Sequence, residues 1–142
     1  MMRTDRTPRL LLGLTSAALL LAAAACGGGD RRDDERIKQI GGVAELATYA
    51  YAGAGADGLY DYLAPEVTQR CSKEQLRQAL SAQPQPTGFR GLSGVDFQDG
   101  RAQATLTLVF RDRDQKVEWT FVQTAGGSWR IADLPGLQEC AG

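Results

Sequence analysis

At Thr87 the spacing of the apolar residues changes, and that change limits the folds open to this chain. Between Arg36 and Leu80 apolar side chains recur three and four positions apart, whereas beyond Thr87 they fall on every second position. The first period suits a helix with one buried stripe, the second a strand with one buried face. Helices that all precede the strands cannot alternate with them in parallel βαβ units. They pack instead as an α+β domain, with N-terminal helices on an antiparallel sheet of about four strands.

In the helical half, Ile37, Ile40, Ala44, Ala47 and Tyr51 form one stripe, and Val43, Leu46 and Ala50 widen it. Gly41-Gly42 lowers helix propensity by about 1 kcal/mol per glycine, and Gly53-Ala54-Gly55 ends the element. Asp57 is expected to cap a short helix holding Leu59, Tyr60 and Leu63, closed by Pro65. Ser72-Lys73-Glu74-Gln75 has the form of a capping box and starts a third helix with Leu76, Ala79 and Leu80. Gln83-Pro84-Gln85-Pro86 stops it.

The strand half begins with Leu92 to Phe97, followed by the hairpin dipeptide Asp99-Gly100. Ala102, Ala104, Leu106, Leu108 and Phe110 then alternate with Gln103, Thr105, Thr107 and Val109. A charged turn, Arg111 to Gln115, leads to Val117, Trp119 and Phe121 alternating with Glu118, Thr120 and Val122. Gly126-Gly127 turns the chain again, and Trp129 and Ile131 share one face of the last strand.

Ahead of the helices, Arg3, Arg6 and Arg9 precede an uncharged run of 16 residues, Leu10 to Ala25. A basic start, an apolar middle and a small-residue cleavage site make a secretory leader, and the run is short of the roughly 20 residues that span a bilayer. Cys26 follows Ala24-Ala25, which resembles the lipobox of bacterial lipoproteins; Ala23 stands where that pattern prefers Leu. The resemblance implies a lipid on the Cys26 sulfur and cleavage before it. The chain would then be anchored to the cell membrane on its extracytoplasmic side. Residues 1–25 are then the leader, 26–35 a flexible tether with a mixed charge run, and 36–142 the folded domain.

Without the leader 117 residues remain, enough for one core. The whole chain carries a net charge of −1, and the leader takes away a net +2, leaving −3. No clustered basic surface accompanies that balance, so neither nucleic acid nor lipid headgroups are expected partners beyond the anchor itself. Cys71 and Cys140 remain as an even pair outside the reducing cytosol, which favours a structural disulfide over two free thiols. The chain has no histidine, and two cysteines 69 residues apart lack zinc-ligand spacing, so no metal or other cofactor is expected.

Three stretches, Gly58-Leu59-Tyr60-Asp61-Tyr62-Leu63-Ala64-Pro65, Cys71 to Leu76, and Gly127 to Leu134, make residues 35–135 resemble the nuclear transport factor 2-like superfamily. That resemblance implies a cone, in which a curved sheet wraps the first helix and leaves a pocket at the wide end. A binding module would take a small apolar ligand there, lined by Tyr51, Tyr60, Trp119, Phe121 and Trp129; the same aromatics also suit a plain core. An isomerase or hydratase would need a pocket carboxylate from Asp57, Asp61, Asp96 or Glu118. Glu118 alternates with Trp119 and Asp96 with Phe97, so neither shares the apolar face of its strand. No acid–base pair emerges, and no catalytic residue is assigned. A third possibility is an envelope interaction or structural protein that uses the outer sheet face, Thr105, Thr107, Val109, Thr120 and Val122. The reading that results is an extracytoplasmic lipoprotein that binds a small ligand.

Overall fold

The computed structural model describes the backbone of residues 22–141 and the side chains of residues 31–140. Residues 1–21, most of the stretch read as a leader, and the Cys26 side chain lie outside the described residues. By contacts the chain divides into two compact units, Met1–Asp33 and Asp34–Gly142, and the second carries the architecture below.

Helix α1 spans Ala22–Ala54, so residues 26–35, read from sequence as a tether, belong to a helix. Ala22 to Ala25 are strong helix formers, while Gly27 to Gly29 each cost about 1 kcal/mol of helix propensity. On the Asp34–Gly142 side Ile40, Ala44 and Ala47 have no exposed surface, and Tyr51 is buried. Leu46, read as widening that stripe, is instead 58% exposed, because it lies on the flank turned from the core. Thr48, the one fully buried polar side chain among the described residues, donates its hydroxyl to the Ala44 carbonyl at 2.7 Å.

Two short helices depart from expectation. Helix α2 covers Ala56–Tyr60 with Gly55, at φ 68°, as its N-cap, so Asp57 lies in its first turn and Leu63 beyond its end. Pro65 opens a further helix, α3 (Pro65–Thr68), because proline suits the first helical position, where no N–H is needed. Helix α4 (Lys73–Leu80) has the reciprocal capping box: the Gln75 N–H donates to the Ser72 hydroxyl at 3.1 Å, and the Ser72 N–H to the Gln75 side-chain oxygen at 2.8 Å.

Strands β1 (Gly88–Gln98), β2 (Arg101–Val109), β3 (Asp114–Gln123) and β4 (Trp129–Asp133) form one antiparallel sheet in sequence order. Strand β1 starts four residues before the alternation becomes visible. Bulges between Phe89 and Gly91 and between Leu92 and Val95 break its period of two. Asp99 and Gly100 both have positive φ, 46° and 77°, as a two-residue hairpin turn requires.

The α+β class read from the sequence is the observed one. Helices and sheet share a core that includes Ile40, Leu59, Leu76, Leu106, Phe121 and Ile131. Across β2 and β3, Ala102 stands opposite Phe121 and Ala104 opposite Trp119, small against large, so the rings have room on the inner face. The free edge of β4 is covered: the Ile131 N–H donates to the Tyr62 carbonyl at 2.9 Å, and the Ala64 N–H to the Ile131 carbonyl at 2.8 Å. Cys71 and Cys140 stand at disulfide distance, with their Cα atoms 5.6 Å apart. The bridge fastens the C-terminal 3-10 helix, Leu137–Ala141, beside α4.

Candidate functional site

Alternation along β3 builds the site. Phe121 has no exposed surface and Trp119 is buried; Val117 is half-buried, and Gln115 and Arg113 are exposed. The first four share one parity along the strand and Arg113 immediately precedes it, so the inner row runs from an apolar floor to a polar rim. Even-numbered neighbours face the other way: Asp114 accepts from Arg90 at 3.1 Å, and Glu118 from Gln103 at 3.2 Å.

Where this row leaves the core, a cavity of about 230 Å³ opens. The end of β2 contributes Leu108 and the residue just past it Phe110, and α1 and α2 contribute Tyr51 and Leu59. Pro84, Pro86 and Pro135 come from the two adjoining loops. Their fixed φ stiffens that wall. The Gln85 amide ties the first loop to the end of α1, donating to the carbonyls of Tyr51 at 2.7 Å and Ala52 at 3.2 Å. Burial pushes the Tyr51 phenol up from its ordinary value, so it keeps its proton and can donate.

Of the five aromatics singled out in the sequence, the structure brings Tyr51 and Trp119 to this cavity. Phe121 lies deeper, with its ring centroid 6.3 Å from that of Trp119, as core. Tyr60 belongs to another surface: its hydroxyl faces the Thr68 carbonyl at 3.4 Å, and Lys73 Nζ lies 5.6 Å from its ring centroid. Trp129 lines a separate surface groove of about 550 Å³, between α1 and the β3–β4 turn, bordered by the exposed Leu46. Its buried indole N–H has no acceptor among the described residues. Sequence reasoning missed Arg113, Gln115 and Phe110, although continuing the Val117–Trp119–Phe121 parity backward to the start of the strand reaches Gln115.

The carboxylates stand elsewhere. Asp57 is held by Arg77, with Nε at 2.7 Å and the second oxygen at 3.0 Å, and this pairing pulls its pKa below the ordinary value. Asp61, Asp96 and Glu118 are exposed and do not line the cavity. Among the described residues no cluster of three or more His, Cys, Asp or Glu side chains could hold a metal ion, and no helix is long and apolar enough to cross a membrane. Comparison of the chain with protein-family models, with curated proteins and with solved structures gives no match.

Proposed function

We propose that the protein is an extracytoplasmic lipoprotein, anchored through Cys26, whose α+β domain is a nuclear transport factor 2-like cone that binds a small ligand. The observation that carries the binding role is the cavity at the end of the inner sheet face. It joins apolar walls to a few convergent polar groups, the composition usual for small-molecule sites. Its volume of about 230 Å³ is below the roughly 300–1,000 Å³ of sites for drug-sized molecules, so the ligand is small. An anchor suits such a module: it keeps the domain at the membrane surface while the cavity samples the surrounding solution.

Val117→Trp places an indole in the cavity from its half-buried wall. Native mass spectrometry of the full chain taken from its own membranes should show a one-to-one small-molecule adduct, lost in Val117→Trp. An adduct that persists in that variant sinks the assignment of the site. For the anchor, Cys26→Ala should abolish lipid labelling and detergent-phase partitioning; labelling that continues refutes it.

A further inference from the structure

The charge of the ligand can be read from the rim of the same cavity, if that cavity is the ligand site. Arg113 is the one charged residue that lines it. No ion pair of its guanidinium is found among the described residues, whereas Arg77, Arg90 and Arg101 are each paired with a carboxylate. Asp114, the next residue, points to the opposite face and is taken by Arg90 at 3.1 Å. Asp112, the preceding one, does not line the cavity. The remaining polar groups are the Tyr51 hydroxyl and the side-chain amides of Gln83 and Gln115, all able to donate. A site with one unpaired cation, several donors and no carboxylate is complementary to negative charge.

The interior sets the other half of the ligand. Trp119, Leu108, Leu59 and Val117 offer only carbon surface apart from one indole N–H, so the buried part of the ligand is apolar. The cavity's volume of about 230 Å³ is below that of sites for drug-sized molecules, too small for a two-chain lipid. We propose that the cavity takes a free, small apolar monoanion, its body against Trp119 and Val117 and its carboxylate or equivalent group at Arg113. Arginine suits this place because its planar fork can grip both oxygens of a carboxylate.

Three probes with one apolar body and different heads test the idea: phenylpropionate, phenylpropanol and phenylpropylammonium, each titrated calorimetrically into the full chain at neutral pH. The acid should bind about fivefold more tightly than the alcohol, the scale of an ion pair at an exposed rim, and the ammonium most weakly. Arg113→Gln should erase the preference for the acid over the alcohol; circular dichroism checks that this exposed substitution leaves the fold intact. Equal binding of acid and alcohol, or a preference that survives Arg113→Gln, overturns the monoanion inference while leaving a ligand site in place. Binding by none of the three, or binding unaffected by Val117→Trp, overturns the site itself.

Discussion

A methyl group at position 58 would collide with the backbone of α1. The Cβ of an alanine there would sit 2.3 Å from the Ala50 carbonyl oxygen and 2.8 Å from its carbon, and neither atom can swing aside as a flexible side chain would. Gly58→Ala therefore has to push α2 away from α1. It should destabilise the domain by about 1–3 kcal/mol, the range for overpacking, measured as a lower urea midpoint. Because Leu59 is fully buried and also lines the cavity, the same substitution should weaken ligand binding. Single residues of this kind are half legible in the sequence. Trp119 and Tyr51 are visible as large side chains on apolar stripes. Gln115 looks like an ordinary turn residue until it is known that β3 begins at Asp114 and that its parity includes it; Arg113 lies just before that strand, where no periodicity reaches.

Among the elements, α2 and α4 are joined by charge as well as packing. Arg77 reaches back twenty residues to Asp57, while also holding Glu74 one turn away at 2.6 Å. Asp57 has a lower pKa in the folded chain than its ordinary value of 3.8, so the fold favours its charged form. The stability contributed is fully present above the unfolded pKa and is lost as pH falls through the folded one. Asp57→Asn should accordingly make stability less steep in pH below about 4, seen in urea midpoints across an acid series. An acid limb identical to that of the parent chain would show that the pair adds nothing. Local chemistry explains which elements could be anticipated. The capping box at Ser72 and Gln75 acts over three residues, and Asp99-Gly100 over two, so both are written in adjacent letters. Asp57 misleads for the opposite reason: its partner is distant in the chain, and Gly55 takes the cap that Asp57 suggests. The bulges of β1 hide it similarly, because each adds a residue that breaks the alternation by which a strand is read.

For the whole molecule, the bridge between Cys71 and Cys140 divides what is tied from what is only packed. The loop it closes, 69 residues in sequence separation, contains α4 and all four strands, but α1, α2 and α3 lie outside it. Tyr51 and Leu59, two walls of the cavity, thus belong to the untied part, while Trp119 and Arg113 belong to the tied part. In the chain-entropy view a loop of that size raises stability by about 4 kcal/mol, because it restricts the unfolded chain rather than adding native contacts. Replacing both cysteines with alanine should lower the urea midpoint accordingly. It should also steepen the slope of stability against urea, since the unbridged denatured chain expands further and exposes more surface. The two readouts separate mechanisms: a lower midpoint with an unchanged slope would mean that the cysteines act mainly by packing, as buried members of the hydrophobic core. Alanine at both positions with neither quantity altered would show that the pair is not bridged in solution.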